Sequence, residues 1–154
     1  MAGESIRRVA AIGTGTIGAS WAAVFLARGL TVSASDPAPG AETFLREFVA
    51  AAWPSLARLS PLPAELPWAA LSFHTHPEAA VVGAEFIQES APEREELKRT
   101  LLARLDAVLD PEIVIASSSS GLFDVLPLSK VGGHRCRSCS SQLCRVRPAP
   151  ERPR

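Results

Sequence analysis

Residues 9–18 read VAAIGTGTIG and set the expected architecture of the chain. The first four residues are apolar, as in a strand that is buried on both faces of a sheet. Three glycines follow with the spacing G-x-G-x-x-G, and an apolar helical pattern begins directly after them. A buried strand, a glycine loop and a helix form the context in which this motif binds the diphosphate of a dinucleotide.

Each glycine of the motif has a separate expected role. Gly13 allows a tight turn, Gly15 lets the backbone approach a diphosphate, and Gly18 lets the helix pack against the strand. The helix N-terminus adds free N–H groups and a partial positive charge. The same residues would also form a tight strand-to-helix turn that binds no ligand, and this alternative stays open.

Asp36 follows the second predicted strand, residues 31–35, and lies 23 residues after Gly13. A carboxylate at this position accepts hydrogen bonds from the adenosine ribose hydroxyls. It would repel a 2′-phosphate about 4 Å away by roughly 4 kcal/mol per unit charge. No arginine follows before Arg46, so the sequence predicts NAD rather than NADP. The alternative is that Asp36 only caps the turn at Pro37.

The chain up to residue 126 continues to alternate between short apolar runs and helical patterns. Further strands are predicted at 71–73, 85–88 and 113–116, and helices at 42–59, 77–82 and from Pro92 to about Leu109. This alternation predicts an α/β fold, a Rossmann-type doubly wound parallel sheet. Pro54 is expected to kink or split its helix, and Pro92 to occupy the first helical position.

Polar residues follow the fourth and fifth predicted strands at the edge where ligands bind in such sheets. Glu89 and Arg94 are expected to flank the nicotinamide ribose, and the serines at 117–120 to supply hydroxyl groups near the reacting end. Two alternatives remain: Glu89 could be a solvated loop acid, and the serines could form a flexible linker.

The composition of the 154-residue chain is that of an ordinary globular protein, with 47% hydrophobic and 21% charged residues. No apolar run is long enough to span a membrane, and the N-terminus lacks the apolar stretch of a secretory signal. Residues 1–130 contain no cysteine, so no disulfide framework is expected there. We expect one cytoplasmic domain over 1–130.

The tail, residues 131–154, differs in character from the rest of the chain. It holds six arginines, one acid and all three cysteines, whereas residues 1–130 hold 10 basic and 15 acidic side chains. Without helical or strand periodicity, it is expected to be irregular and disordered, and its composition favours a frameshifted or truncated end. A zinc site at His134 and the cysteines, and nucleic-acid binding by the arginines, are weaker alternatives, so no metal or nucleic-acid partner is predicted.

Four blocks of sequence together resemble a known family. They are residues 9–18, Asp36-Pro37, residues 86–94 with Leu97-Lys98, and residues 115–122. In this combination they are similar to the NAD-binding domain of 3-hydroxyacyl-CoA dehydrogenases, most of all to the carnitine 3-dehydrogenase and lambda-crystallin branch. The resemblance covers about residues 6–128.

The resemblance implies NAD-dependent oxidation of an L-3-hydroxyacyl-CoA or a carnitine-like 3-hydroxy acid to the 3-oxo compound. Ser120 matches the serine that hydrogen-bonds the substrate oxygen, and Ser118 stands where many members have asparagine. The implied cofactor-binding residues are Gly13, Thr14, Gly15, Thr16, Ile17, Gly18, Asp36, Glu89, Arg94 and Ser118.

Two parts of the family pattern are missing from this sequence. The family continues with a histidine that acts as general base and with a helical domain that completes the substrate site and the homodimer. His134 is the only histidine after Ser120, and its neighbours do not match that motif. We therefore expect a cofactor-binding half with a small-molecule substrate, no membrane partner and doubtful activity alone. The alternative is a non-catalytic NAD-binding module or an inactive fragment.

Overall fold

The computed structural model describes residues 6–118 and the backbone of Cys136–Ser138. Strands and helices alternate through this part of the chain, with a short 3₁₀ turn at Trp68–Ala70. The strands are β1 (Arg8–Ile12), β2 (Thr31–Ser35), β3 (Leu71–His74), β4 (Phe86–Glu89), β5 (Val114–Ser117) and β6 (Cys136–Ser138). The helices are α1 (Thr16–Ala27), α2 (Ala41–Ala57), α3 (Pro77–Ala80) and α4 (Glu95–Asp106).

The six strands form one sheet in the order β3-β2-β1-β4-β5-β6, and every neighbouring pair is parallel. Val9 of β1 pairs with Val32 of β2 on one side and with Phe86 of β4 on the other. The order of the strands reverses between β1 and β4, which makes the gap beyond their carboxyl ends the topological switch point. The predicted Rossmann-type doubly wound sheet is confirmed.

Helices cover both faces of the sheet because side chains along each strand alternate in direction. Val9 and Ala11 of β1 belong to the core cluster that contains α1 and α2 residues. Ala10 and Ile12 belong to the second cluster, with residues of α3 and α4. This two-sided burial explains why β1 is apolar at consecutive positions.

Helix α1 ends at Ala27, and Gly29 follows its C-cap residue Arg28. Gly29 has φ +76°, and its N–H donates to the Leu26 carbonyl at 2.9 Å. The Leu30 N–H donates to the Phe25 carbonyl at 3.0 Å. These two bonds form a Schellman motif, which turns the chain back toward β2.

Helix α2 continues through Pro54, so the predicted split of this helix is wrong. Proline removes one backbone donor, and here the loss falls near the last turn of α2. The neighbouring Trp53 is buried, and its indole N–H donates to the Pro63 carbonyl at 3.2 Å. Packing of this side chain holds the last turn against the sheet and the following loop.

Helix α4 begins later and ends earlier than predicted, because Arg94 is its N-cap and Asp106 its last residue. Pro92 therefore lies before the helix and not at its first position. Glu95 and Glu96 place acidic side chains in the first turn of α4, where they favour the positive end of the helix dipole. The buried side chains of α4 are Lys98, Leu101, Leu102 and Leu105.

The strand β6 lies in the tail for which no strand was predicted, and it pairs with β5 in parallel. A strand of three residues is too short to show an alternation of apolar and polar residues in the sequence. It is recognised only by its pairing with β5. The rest of the tail lies outside the described residues. Within the described part of the chain, no helix has the length and apolar character needed to cross a bilayer.

Candidate functional site

A cleft of about 1150 Å³ opens at the carboxyl ends of the strands, beside the switch point between β1 and β4. Gly13, Gly15 and Asp36 line it from the side of β1 and β2. Ser90 and Ala91, which follow β4, line the opposite wall. The loops after β1, β2 and β4 therefore meet at one edge of the sheet, as expected. The loop after β5, which was expected at the same edge, lies outside the described residues beyond Ser118.

The fold requires glycine at position 13, whether or not a ligand is bound. Its φ is +85°, a region that side chains strongly disfavour. A Cβ at this position would stand 2.7 Å from the Ala91 backbone N and 2.8 Å from the Ser90 carbonyl oxygen. The glycine therefore allows both the turn after β1 and the close approach of the loop after β4.

Gly18 and Gly15 differ in what surrounds them. A Cβ on Gly18 would stand 1.8 Å from the Gly13 carbonyl oxygen, so helix α1 can approach its own loop only with glycine there. A Cβ on Gly15 would meet no protein atom within 4 Å, although this residue lines the cleft. The fold therefore needs Gly18, whereas Gly15 keeps open a space that the protein does not fill.

The N-terminus of α1 presents backbone donors beside this open space. The first intrahelical donor is the N–H of Ala19, which bonds the Gly15 carbonyl at 2.8 Å. The amides of Thr16, Ile17 and Gly18 precede it and have no acceptor within the helix. Such amides, with the helix dipole, attract the oxygens of a phosphate group.

Asp36 connects the end of β2 to the glycine loop. Its Oδ2 accepts the Thr14 N–H at 2.8 Å, and its Oδ1 accepts the Ala38 N–H at 2.9 Å. The turn-capping role that the sequence left open is therefore real. Since a carboxylate accepts about four hydrogen bonds, Asp36 can also accept bonds from a ligand in the cleft. Thr14 itself is buried, and its N–H is already used by Asp36.

Glu89 was predicted either to contact the nicotinamide ribose or to be a solvated loop acid, but the structure buries it with an exposed fraction of 0%. Its Oε1 accepts the Ala91 N–H at 2.6 Å and the Lys98 Nζ at 2.8 Å. Its Oε2 accepts a second bond from Lys98 at 2.9 Å and one from the Ser117 hydroxyl. Glu89 is thus neither a solvated acid nor open to a ribose, because internal donors occupy both carboxylate oxygens.

Lys98 is a functional candidate that sequence reasoning missed. It is 1% exposed and shares the buried face of α4 with Leu101, Leu102 and Leu105. A signal was present in the sequence, because a lysine in register with an apolar helix face needs a buried partner. Leu97 and Val108, apolar residues of the predicted helix, are both exposed, whereas Lys98 is buried.

Ser118 belongs to a small polar network beyond the carboxyl ends of β4 and β5. Its hydroxyl accepts the Gln88 side-chain N–H at 2.8 Å and lies 3.0 Å from the Ser90 hydroxyl. Ser90 lines the cleft, so this network reaches the cleft through Ser90. Ser120, which was predicted to hold the substrate oxygen, lies outside the described residues.

The remaining predicted residues lie on the surface. Thr16 and Ile17 are exposed at the start of α1, beside Gly15. Arg94 is exposed at the N-cap of α4 and is not among the residues that line the cleft. Its contact with the nicotinamide ribose stays a prediction.

An ion pair lies at the far rim of the cleft, where Arg104 of α4 is one of the lining residues. The Arg104 guanidinium donates to both carboxylate oxygens of Glu78, one of them at 2.8 Å. These hydrogen bonds hold the pKa of Glu78 below its ordinary value and raise the pKa of Arg104. Both side chains are partly exposed, so solvent screens the pair.

We expect Glu78→Gln to lower the stability of the protein slightly near neutral pH and not in acid. Because the pKa of Glu78 is lowered in the folded protein, its ionised carboxylate stabilises the fold at pH values above the pKa of the unfolded chain, about 4. This stabilisation is lost as the pH falls through the lower pKa of the folded protein. An exposed pair contributes no more than about 1 kcal/mol. Urea unfolding at both pH values measures the difference, and an equal effect in acid would contradict the assignment.

The site fits a dinucleotide that has an unphosphorylated ribose. The open space at Gly15 lies beside unbonded helix amides, and Asp36 provides a carboxylate at the end of β2. Arg46 bonds Glu42 at 2.8 Å and lies over the Trp68 ring, and it is not a lining residue of the cleft. The loop after β2 therefore provides no positively charged side chain that could bind a 2′-phosphate beside Asp36, which favours NAD over NADP.

A family model agrees with this geometry: the 3-hydroxyacyl-CoA dehydrogenase, NAD binding domain matches residues 8–134. The chain belongs to this family. The recognition made from sequence blocks is therefore confirmed, and NAD is the cofactor of the family.

Bacterial relatives place the chain within the family. The L-carnitine dehydrogenase of Streptomyces coelicolor is 56% identical over 118 residues, which cover 77% of this chain and 37% of that protein. The L-carnitine dehydrogenase of a Pseudomonas species is 51% identical over 117 residues, which cover 76% of this chain and 36% of that protein. The chain spans little more than a third of the length of these relatives.

Solved structures show the same fold. The 3-hydroxybutyryl-CoA dehydrogenase of Escherichia coli K12 superposes with a TM-score of 0.75 at 27% identity, covering 87% of this chain and 29% of that chain. The NAD⁺-dependent dismutase FHMPC 5-dehydrogenase superposes with a TM-score of 0.71 at 30% identity, covering 87% of this chain and 44% of that chain.

Proposed function

We propose that the chain is the cofactor-binding part of an NAD-dependent dehydrogenase that oxidises a 3-hydroxy acid or a 3-hydroxyacyl-CoA, with a carnitine-like substrate preferred. The observation that carries the proposal is the unfilled space at Gly15, between the amides of α1 and the carboxylate of Asp36. The preference for a carnitine-like substrate is supported by the L-carnitine dehydrogenases to which the chain is similar.

The cofactor would be held by backbone and carboxylate groups of this chain. The amides of Gly15, Thr16 and Ile17 would bind the diphosphate, and Asp36 would accept bonds from the adenosine ribose. When bound, NAD supplies the acceptor for a hydride from the carbon that carries the hydroxyl group. The walls at Gly13 and Ser90 would exclude water from this end of the cleft.

The substrate half of the reaction needs groups beyond the described residues. By resemblance, Ser120 would hold the substrate oxygen, and a histidine would accept its proton. His134 is the only histidine after Ser120, and its neighbours do not match the family motif. Loss of a positioned base lowers a rate by about 10²–10⁴-fold. We therefore propose that this chain binds NAD and turns over substrate poorly when alone.

We expect wild-type protein to bind NADH and the Asp36→Asn variant to bind it about tenfold to a hundredfold more weakly, because a charged acceptor is lost. Asparagine keeps the shape of the side chain and one accepting oxygen for the loop. Titration of NADH fluorescence gives both dissociation constants, and Glu47→Gln, an exposed position on α2, is the matched control.

NADPH completes this test. Wild-type protein should bind NADPH more weakly than NADH, and Asp36→Asn should narrow that difference, because the repelling charge is gone. If wild-type protein binds neither dinucleotide, the proposed function is wrong. If Asp36→Asn binds NADH as tightly as Glu47→Gln does, the role of Asp36 is wrong.

A second candidate is a non-catalytic NAD-binding module, which the mismatch between the neighbours of His134 and the family's histidine motif favours. Turnover of L-carnitine and of 3-hydroxybutyryl-CoA with NAD, measured for the chain alone and with an added C-terminal domain of the family, distinguishes the two candidates. Only the cofactor-binding half of a dehydrogenase should gain turnover from the added domain. We also propose that the protein is cytoplasmic and acts on a small molecule. The family resemblance implies a homodimer for the full-length enzymes of the family.

A further inference from the structure

The buried ion pair of Glu89 and Lys98 lies directly behind the wall of the cleft. Glu89 is the last residue of β4, the strand on one side of the switch point. Lys98 reaches it from the first turns of α4, and the two side chains are 0% and 1% exposed. The ammonium group bonds both carboxylate oxygens, at 2.8 and 2.9 Å.

The carboxylate of Glu89 also holds two segments that are remote from α4. One oxygen accepts the Ala91 N–H at 2.6 Å, which fixes the loop that leaves β4. The other accepts the Ser117 hydroxyl, from the end of β5. The pair therefore joins α4, the loop after β4 and the end of β5 at one point.

The loop held in this way is the wall that faces the glycine motif. The Ser90 N–H donates to the Ile12 carbonyl at 2.7 Å, and both Ser90 and Ala91 line the cleft. Their backbone atoms approach Gly13 so closely that a Cβ there would stand 2.7 Å from the Ala91 N. A small shift of this loop would narrow or widen the cleft beside Gly13.

Stability alone does not explain a buried ion pair, because well-packed apolar side chains of similar volume often stabilise a fold as well or better. An apolar pair, however, has no acceptor for the Ala91 N–H. We propose that Lys98 is a positioning residue, which orients the Glu89 carboxylate so that it holds the Ser90–Ala91 wall of the NAD cleft against Gly13. This inference rests on the proposed NAD binding.

The test measures NADH binding by variants of the full chain, under conditions where circular dichroism shows each to be folded. Lys98→Met leaves the Glu89 carboxylate without the cation that orients it, and the apolar pair Glu89→Leu/Lys98→Met removes the acceptor of the Ala91 N–H. We expect both variants to bind NADH about tenfold more weakly, because the loop after β4 is then less well fixed and must be ordered on binding. The control is Arg99→Met, at an exposed neighbour of Lys98 on the same helix. A purely structural role would not change the dissociation constant of folded molecules.

The outcomes separate the two proposals. If wild-type protein does not bind NADH, the proposed function fails and this inference with it. If wild-type protein binds and the folded variants bind within twofold of Arg99→Met, only the role of Lys98 is overturned. If Lys98→Met does not fold, the apolar pair decides.

Hydrogen exchange of the Ala91 backbone amide tests the proposal in wild-type protein, without any variant. The Ala91 N–H should be protected from exchange before NADH is added, because Glu89 already holds it. Exchange at the rate of an unstructured peptide would overturn the proposal, even if neither variant folds.

Discussion

Gly18→Ala is expected to destabilise the protein by about 3 kcal/mol or more, at the upper end of the range for overpacked sites. The added methyl group would stand 1.8 Å from the Gly13 carbonyl oxygen, which is backbone and cannot rotate away. This clash can be removed only if α1 moves away from the loop. Such a movement would disturb the core, because Ala19, Ala22 and Ala23 of this helix are part of it. Urea unfolding followed by circular dichroism measures the loss.

Gly15→Ala in the same loop is the matched control. Its methyl group meets no protein atom within 4 Å, and its φ of −60° suits alanine. We expect a loss below about 1 kcal/mol, because alanine is only a poorer N-cap than glycine. NADH binding should nevertheless weaken strongly, since the methyl group occupies the open space. Equal stability losses at Gly18 and Gly15 would contradict this division of roles.

Lys98→Met is expected to cost about 3–5 kcal/mol, because it leaves the fully buried carboxylate of Glu89 without its cation. The hydrogen bonds from Ala91 and Ser117 to Glu89 supply no compensating positive charge. A domain of this size has a total stability of only about 5–15 kcal/mol, so the loss is a large share of it. Urea unfolding at neutral pH measures the difference from wild-type protein.

Arg99→Met serves again as the control, since Arg99 makes only an exposed pair with Glu95 at 3.4 Å. Exposed pairs of this spacing contribute about 0.3–0.5 kcal/mol. The apolar pair Glu89→Leu/Lys98→Met should regain part of the stability lost in Lys98→Met, because no unpaired charge remains. A Lys98→Met loss as small as that of Arg99→Met would show that the buried pair is not what the geometry indicates.

Local patterns in the sequence were sufficient for the order of the strands β1–β5 and of the four helices, but not for β6. The period of apolar residues identifies a strand or a helix without knowledge of its neighbours. The roles of Gly13 and Gly18 could be inferred from the sequence, because a tight turn and a close approach of a helix are local requirements. The prediction of a split at Pro54 was wrong for the same reason. It used only the local preference of proline and took no account of the tertiary packing of Trp53.

The position of Asp36 at the end of β2 was also determined by the sequence, because Asp36 directly follows the residues of this strand in the chain. Only the tertiary structure decided the surroundings of Glu89. Its cation comes from Lys98 on the following helix, and its third donor from Ser117, 28 residues away. Whether a charge is solvated, paired or available to a ligand depends on which remote groups the fold brings within hydrogen-bonding distance, and no local pattern carries that information.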